Sequence, residues 1–271
     1  MEAGVSGVDR AIILAGGSGT RLEERSGGAN KHLLMLHDAP MVLYPLAQAI
    51  EAGLTRFLLV TTREALPTFR ALLGDGAKWG VTIEFASQSR PDGVAGALAE
   101  GEGFAAGKPC CVLLGDNITD GDVGLREALQ DFRGGAEVFA FPFEDPRAYA
   151  VAAFSSEGEL VSLEEKPAVP RGSWAVGGIY IYDATAFDRI RGIAPSSREE
   201  REITDLNRSY FAEGLLRVHR VGGHVFWNDA GTPGSFDRAV EHVALARQRG
   251  NLRLGNPARA AVEVGLLPRE E

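Results

Sequence analysis

A glycine-rich turn near the start of the chain constrains the possible folds more than any other feature of the sequence. The apolar run at 11–15 has the length of a buried strand, and glycines fill three of the four positions from Gly16 to Gly19. Because glycine has no Cβ, successive backbone N–H groups in such a turn can approach an anion closely. The chain contains no GxxxxGK[ST] P-loop, and Leu22 stands where a dinucleotide-binding fingerprint requires its third glycine. The turn therefore predicts an anion site of another kind after the first strand, with a tight strand-to-loop turn as the simpler alternative.

Two positively charged residues, Arg21 and Lys31, follow the glycines on the same segment. A triphosphate is bound best where backbone donors and fixed cations act together. The pattern therefore favours a nucleotide phosphate site, although either residue alone would be interpreted as solvent-exposed charge.

Composition narrows the partners that the chain can bind. The formal net charge is −9, which argues against nucleic acid as a partner because nucleic acid requires a basic surface. No apolar run approaches the ~18 residues of a membrane span, and the first ten residues lack the apolar stretch of a signal peptide. The adjacent Cys110 and Cys111 lie in an apolar run, so we expect buried strand residues rather than a disulfide or a metal site. These features predict a cytoplasmic protein without nucleic-acid or membrane partners.

Strand-length apolar runs alternate with helical patterns along the chain, which is typical of an α/β protein with a mostly parallel sheet. In the first half we predict strands at 11–15, 57–61, 81–86 and 110–114 and helices at 41–52, 63–73 and 94–104. The second half is richer in strands, predicted at 138–141, 148–154, 160–165 and 174–182, with helices around 203–210 and after Thr232. The last residues, 251–271, have a less regular pattern than the rest of the chain.

Two aspartates directly follow predicted strands. Asp116 comes after the apolar run at 110–114, and Asp229 lies between a short strand and the helix that starts at Thr232. Ligands of open α/β sheets bind beyond the carboxyl ends of the strands, and oxygen atoms are the ligands that Mg²⁺ prefers. Either aspartate could instead cap a helix or a turn, and this alternative is stronger for Asp229. The five histidines are scattered, so we expect no zinc site.

Eight sequence blocks, arranged in one order, carry a resemblance to a known family. They are LAGGSGTRL at 14–22 followed by Lys31, HDAPMVLYPL at 37–46, LLGDGAKWG at 72–80, QSRPDG at 88–93, LGDN at 114–117, SLEEKP at 162–167, EITDLNRSY at 202–210 and WNDAGT at 227–232. Together they resemble the signature of sugar-phosphate nucleotidylyltransferases, and the short-chain glucose-1-phosphate thymidylyltransferases show the most similar pattern. One block would be a weak signal, whereas eight collinear blocks over residues 10–245 are specific.

The resemblance implies a Rossmann-like nucleotidyltransferase fold, with a central mixed, mostly parallel sheet flanked by helices and a smaller β-rich sugar-binding part. It predicts a single domain over residues 1–271. Within it we expect a nucleotide-binding half at 10–135, a sugar-phosphate-binding half at 136–245 and a C-terminal extension at 246–271.

The resemblance also implies roles for individual residues. The residues implied to bind the nucleotide are Leu14, Gly16, Gly17, Ser18, Gly19, Thr20, Arg21, Gln88, Gly93 and Asp116. Those implied to bind the sugar phosphate are Ala150, Glu165, Lys166, Val176 and Arg198. Asp116 and Asp229 would hold Mg²⁺, and Arg21, Lys31 and Lys166 would act in catalysis. From the residues alone, the acidic and basic run at 164–166 and Arg198 could be ordinary solvated charges.

The implied reaction is transfer of a nucleotidyl group from a nucleoside triphosphate to a sugar 1-phosphate, with release of pyrophosphate. The resemblance favours dTTP, with UTP as the alternative, and glucose 1-phosphate as the sugar. It also implies a homo-oligomer, either a tetramer or a dimer. Two other functions stay open at this point: a non-catalytic nucleotide-sugar-binding or regulatory protein on the same fold, and a dinucleotide-dependent oxidoreductase.

Two positions depart from the family pattern. The loop at 22–30 lacks the usual proline and threonine and carries Glu23 and Glu24 near the expected triphosphate site. Ala150 stands where the family has a glycine beside the sugar, and an added methyl group could narrow that pocket. These departures leave the sugar and the strength of nucleotide binding open.

Overall fold

The computed structural model describes residues 7–17, 19–88, 90, 92–196 and 198–269. Within these ranges the chain forms thirteen β-strands and ten α-helices. The strands are β1 (Arg10–Ala15), β2 (Met35–Leu36), β3 (Ala39–Pro40), β4 (Arg56–Thr62), β5 (Thr82–Gln88), β6 (Cys110–Leu114), β7 (Asn117–Asp120), β8 (Ala136–Pro142), β9 (Ala150–Phe154), β10 (Leu160–Glu165), β11 (Trp174–Tyr182), β12 (Leu216–Arg220) and β13 (Phe226–Asp229). The helices are α1 (Glu23–Ser26), α2 (Leu43–Glu51), α3 (Leu66–Leu73), α4 (Gly93–Ala99), α5 (Glu102–Ala105), α6 (Leu125–Asp131), α7 (Ala186–Arg191), α8 (Ile203–Ala212), α9 (Pro233–Gln248) and α10 (Pro257–Glu263).

A mixed sheet forms the centre of the molecule, in the order β10-β9-β11-β6-β1-β4-β5, with β8 beside β11 and β12 beside β8. The four strands β6, β1, β4 and β5 run parallel to one another, as the alternating pattern of the first half predicts. The strands of the second half add mainly antiparallel pairs, except that β12 is parallel to β8. The predicted α/β architecture, with a mixed central sheet and a β-rich second half, is confirmed.

The long strand β11 joins the two groups of strands. Its C-terminal residues pair with β6, while its N-terminal residues pair with β9, and β8 follows it along the other edge. The register with β8 shifts between Val176 and Tyr180, an irregularity that lies where β11 changes partners from β9 to β6.

Three apolar clusters stabilise this architecture. Two of them cover opposite sides of the large sheet, one packed against α2 and α3 and the other against α4, α7 and α8. The third lies between α9 and the two short two-stranded sheets, β2-β3 and β7-β13. Cys110 and Cys111 are free thiols within the buried strand β6, as predicted. No helix within the described ranges is long and apolar enough to cross a membrane.

Two sequence-based predictions of helices are wrong. The helix predicted at 94–104 is divided into α4 and α5 because the chain passes close to β1 at Gly101, where a Cβ would lie 2.5 Å from Cδ1 of Ile12. The second concerns residues 251–271, predicted to be less regular: this segment contains helix α10, which packs against α2. Its start carries an ordinary signal, an Asn256 N-cap followed by Pro257 in the first turn.

Candidate active site

The glycine-rich turn and Asp116 lie side by side because the strands that precede them are neighbours. Strands β1 and β6 are parallel and adjacent, so both segments leave the sheet at the same edge. The backbone N–H of Gly115 donates to the carbonyl oxygen of Leu14 at 2.9 Å, and this hydrogen bond fixes the C-terminal ends of the two strands relative to each other. This is the strand-end position at which ligands of open α/β sheets bind.

The short β7-β13 sheet brings the second aspartate to the same place. Strand β13 pairs antiparallel with β7, which places Asp229 opposite Asn117, and the N–H of Ala230 donates to the carbonyl oxygen of Asp116 at 2.9 Å. A Cβ built on Gly231 would lie 2.8 Å from Oδ1 of Asp229, 3.5 Å from Oδ2 of Asp116 and 3.6 Å from Nζ of Lys31. The two carboxylates and the ammonium group therefore surround one common point.

The charges at this point are strongly coupled. Lys31 Nζ donates to Oδ2 of Asp116 at 2.5 Å. Burial alone would raise the pKa of Asp116, but the adjacent Lys31 outweighs it and holds that pKa below its ordinary value. Burial, followed by the negative charge of Asp116, raises the pKa of Asp229 to about 6. Burial would lower the pKa of Lys31, but the charge of Asp116 outweighs it and raises that pKa; the positive charge of the exposed Arg21 offsets only a small part of the rise at Lys31 and at Asp229.

The arrangement fits a divalent cation. Burial is the main cause of the raised pKa of Asp229, and the nearby carboxylate of Asp116 adds to it, so a cation bound between the two carboxylates would favour their charged forms. Within the described ranges no cluster of three or more His, Cys, Asp and Glu side chains could hold a metal. The protein would therefore supply two carboxylates, as Mg²⁺ sites that are completed by phosphate oxygens and water do.

Gln88 and Gly93, which the resemblance implies to bind the nucleotide, lie close to the glycine-rich turn. Gln88 ends β5, and its Nε2 donates to the carbonyl oxygen of Gly93 at 3.5 Å. A Cβ on Gly16 would lie 3.1 Å from Oε1 of Gln88, so the turn and the amide are in contact. Gly93 has φ 78°, and a Cβ there would lie 2.5 Å from the carbonyl oxygen of Arg201, which restricts this position to glycine.

The remaining residues of the turn are placed in part. Gly17 is exposed, and Gly19 adopts φ 59° beside Lys31, where a Cβ would lie 3.5 Å from Cβ of Lys31. Thr20 begins a short 3-10 helix, Thr20–Leu22, that leads into α1. Ser18, predicted to bind nucleotide, lies outside the described residues.

The residues predicted for the sugar phosphate meet at the end of β10. Oε2 of Glu165 accepts from Thr204 Oγ1 at 2.5 Å, and Oε1 lies 3.2 Å from Lys166 Nζ and 3.3 Å from Arg198 Nη2. Arg198 also pairs with Glu202 at 2.7 Å, so it is not the free surface charge that the sequence alone allows. Lys166 adopts φ 41°, an uncommon conformation for a residue with a side chain and one that clusters at functional sites.

Ala150 and Val176 occupy the strands next to this cluster. Ala150 is half-buried at the start of β9 and lies opposite Glu165 in the β9-β10 pair. Val176 is buried in β11 and belongs to the same apolar cluster as Leu163. Ala150 therefore stands where its methyl group could restrict what binds beside Glu165.

We expect Glu165→Gln to raise the KM for the sugar phosphate by about tenfold, because a neutral amide makes weaker hydrogen bonds to hydroxyl groups than a carboxylate does. The KM for the nucleotide should change less than about twofold. Steady-state rates of pyrophosphate release, measured while each substrate is varied in turn, give both KM values. Glu164→Gln is the matched control, since Glu164 points to the opposite face of β10 and pairs with Arg171 at 3.3 Å. An equal effect of both variants would contradict the assignment of Glu165.

Sequence reasoning missed Asn117, which connects the strands beneath the site. Its Oδ1 accepts from the backbone N–H of Gly178 at 3.0 Å and from Trp227 Nε1 at 2.8 Å, and its Nδ2 donates to Asp116 at 3.0 Å. A Cβ on Gly178 would lie 2.7 Å from the amide group of Asn117, so this close approach also requires the glycine. The LGDN block contained Asn117, but no local pattern could have indicated partners so distant in sequence.

An aromatic group that sequence reasoning also missed lines the same region. Trp227 contacts the rings of Phe141, Phe143 and Tyr149, with centroid separations of 5.0, 5.7 and 5.0 Å. Burial, followed by the negative charge of Asp229, raises the pKa of Tyr149 to about 12. Trp227 stands in the WNDAGT block, and this was the sequence signal that could have pointed to the aromatic group.

Asn117→Ala should lower the free energy of unfolding by about 2–4 kcal/mol, because it leaves the buried donors of Gly178 and Trp227 without an acceptor. Urea denaturation followed by far-UV circular dichroism measures this change. Asn251→Ala is a suitable comparison, since Asn251 also bonds an aspartate, Asp120 at 2.9 Å, but sits near the surface. A loss below about 1 kcal/mol for Asn117→Ala, the net value of one ordinary hydrogen bond, would contradict its connecting role.

These features define an α/β protein in which a glycine-rich turn, a lysine and a pair of carboxylates converge at the strand ends. Comparison with known families narrows this class. The sequence profile described as nucleotidyl transferase matches residues 10–245. The chain therefore belongs to the nucleotidyl transferase family, and it is a nucleotidylyltransferase.

Individual relatives agree with this assignment. The chain is 42% identical over 265 residues to a glucose-1-phosphate thymidylyltransferase of Xanthomonas campestris, covering 97% of this chain and 90% of the relative. It is 40% identical over 260 residues to the Actinoplanes enzyme of the same name, covering 95% of this chain and 86% of the relative. Since these relatives are named as enzymes, the non-catalytic alternative is not favoured.

Solved structures share the fold. A Bacillus anthracis protein assigned as a glucose-1-phosphate thymidylyltransferase, in complex with sucrose, superposes with a TM-score of 0.81 at 36% identity, covering 88% of this chain and 95% of that one. A UDP-glucose pyrophosphorylase bound to UDP-glucose reaches a TM-score of 0.74 at 20% identity, covering 88% of this chain and 98% of that one. The second likeness supports the fold alone.

Proposed function

We propose that the protein transfers a thymidylyl group from dTTP to glucose 1-phosphate and releases pyrophosphate, with UTP as the alternative nucleotide. The single observation that carries this proposal is the meeting of Asp116, Asp229 and Lys31 at one point beside the glycine-rich turn. The names of the relatives at 40–42% identity support the choice of base and sugar.

We propose Mg²⁺ as the metal, held by Asp116 and Asp229. Both side chains offer hard oxygen ligands at one location. When bound, the ion would neutralise negative charge on the phosphates of the nucleotide during the reaction.

The protein's own residues would act mainly by positioning and by charge neutralisation. The phosphate oxygen of the sugar substrate attacks the α-phosphorus, and the bond to the leaving pyrophosphate breaks. Because the attacking oxygen is already anionic, no general base is needed. Arg21 and Lys31 would hold the leaving phosphates, and Lys166 would hold the attacking phosphate against its repulsion from the nucleotide.

The base would be held by Gln88 and the backbone of Gly93. A side-chain amide and a backbone group can together satisfy the imide edge of thymine or uracil. The contact between Gln88 and Gly93 in the structure supports this role. The two bases differ by one methyl group, which a pocket discriminates by only ~1–3 kcal/mol, so a modest preference for dTTP over UTP is expected.

The same proposal includes a cytoplasmic homo-oligomer, a dimer or a tetramer, built from one domain with a nucleotide half and a sugar half. The two buried free thiols support a reducing compartment. The sharing of β11 between strands of both halves supports a single domain.

A matrix of nucleotides against sugar 1-phosphates, scored by pyrophosphate release with Mg²⁺, tests the proposal. dTTP with glucose 1-phosphate should give the highest kcat/KM, followed by UTP with the same sugar. A purine nucleotide as the best substrate would refute the assignment of the base site. Fast turnover only with a sugar other than glucose would refute the sugar assignment and implicate Ala150.

A further inference from the structure

We propose that Arg25 is a positioning residue for the nucleotide. It contacts Asp237 and Phe236 of helix α9 and thereby holds the segment 20–31 against that helix. This segment carries Arg21 and Lys31, so the inference rests on the proposed function. It assigns a role to a part of the loop that departs from the family pattern.

The contact between Arg25 and α9 has two components. Nη1 and Nη2 of Arg25 donate to Oδ1 and Oδ2 of Asp237 at 2.5 and 2.8 Å, a two-pronged pair that fixes direction as well as distance. The guanidinium carbon also lies 5.3 Å from the ring centroid of Phe236, within the range of a cation–π contact.

A second anchor lies one helical turn earlier. Leu22 is buried at 1% exposure and belongs to the same apolar cluster as Phe236, Ala239 and Val243 of α9. Leu22 and Arg25 thus bind the segment to one helix from two sides. Beyond them, Gly27 and Gly28 adopt φ 58° and 86°, and a Cβ on either would meet no atom within 4 Å.

Helix α9 is in turn rigidly joined to Asp229. The helix starts at Pro233, four residues after Asp229, with a capping box between Thr232 and Ser235. Asn228 Nδ2 donates to the carbonyl oxygen of Ser235 at 2.9 Å, which fixes the first turn to β13. The Arg25–Asp237 pair therefore holds the first part of the segment, which carries Arg21, on the helix that follows Asp229, while Lys31 at the end of the segment bonds Asp116 directly.

The pair is placed to affect binding more than folding. The Arg25 and Asp237 side chains are 37% and 61% exposed, and exposed ion pairs contribute little to stability. In the described chain it is the one ion pair between the segment and α9. Its loss would let the segment move without unfolding the protein.

Steady-state kinetics of Asp237→Asn and Arg25→Lys test the role. We expect the KM for the nucleotide to rise about fivefold, with kcat and the KM for the sugar phosphate unchanged within about twofold. The exchanged pair Arg25→Asp with Asp237→Arg should restore the nucleotide KM. Asp38→Asn is the matched control, because Asp38 forms a comparable pair at 2.7 and 3.1 Å with Arg247 at the other end of α9.

An unchanged nucleotide KM in both single variants, or an equal rise in Asp38→Asn, would overturn the inference. Hydrogen exchange of the free protein gives a readout that does not depend on activity. The amides of 20–29 should exchange faster in Asp237→Asn than in the wild type, and equal rates would also overturn the inference. If the wild type releases no pyrophosphate from any nucleotide, the proposed function fails, and the exchange rates alone decide whether Arg25 holds the segment.

Discussion

Asp116→Asn should reduce kcat by about a thousandfold, equivalent to about 4 kcal/mol in the activation barrier. The substitution removes a negative charge from the point where Asp229 and Lys31 also converge, and a neutral amide is a poor ligand for a hard cation. The fold should persist, because asparagine keeps the shape of the side chain and Asp229 remains to balance the charge of Lys31.

Pyrophosphate release measured over a range of Mg²⁺ concentrations checks this result. The variant should need more Mg²⁺ to reach half of its remaining activity, and its far-UV spectrum should match that of the wild type. Asp131→Asn, an exposed position at the end of α6, is the control and should behave like the wild type. A fall in kcat below about tenfold, which is about 1.4 kcal/mol, would rule out Asp116 as a metal ligand.

Gly231→Ala should lower kcat/KM by about a hundredfold through steric effects alone. The added Cβ would lie 2.8 Å from Oδ1 of Asp229, closer than real Cβ contacts, and would occupy the space between the two carboxylates. The backbone of Gly231 has a negative φ, so alanine introduces no backbone strain of its own. The loss must then come from displacing Asp229 or from filling the place where a cation would bind.

Gly234→Ala provides the matched control for this variant. It lies three residues further on, in the first turn of α9, and a Cβ there would meet no atom within 4 Å. Alanine also favours a helix over glycine, so this control should be as active as the wild type and slightly more stable. Wild-type activity in Gly231→Ala would mean that the reaction does not use the point shared by Asp116 and Asp229.

The part of the site nearest the first strand could be predicted from local sequence. A strand that ends in glycines and a second strand that ends in Gly115-Asp116 both indicate one edge of a parallel sheet. The structure places these segments side by side, and Lys31 donates a hydrogen bond to Asp116. The alternating strand and helix pattern predicts that both strands end at the same edge of a parallel sheet, whereas the adjacency of β1 and β6 is given only by the structure.

The other half of the site depends on pairings that no local pattern carries. Asp229 reaches Asp116 because β13 pairs with β7, and both strands are only four residues long. Arg198 looks like surface charge in sequence, yet it contacts Glu165 across the fold. Such contacts follow from packing rather than from propensity. Sequence position alone therefore left Asp229 as a possible cap and Arg198 as a possible solvated charge, and the family resemblance was needed to imply their roles.

The course of β11 has a consequence for how substrates enter. A cleft between two bodies joined by a hinge can open widely, but here one continuous strand is hydrogen-bonded on both sides of the site. Separating the two halves would break backbone hydrogen bonds between β11 and its neighbouring strands. A hinge motion avoids this cost because it changes the conformation of only a few residues. We therefore expect substrates to reach the site through small movements of the loops around it rather than through separation of the two halves.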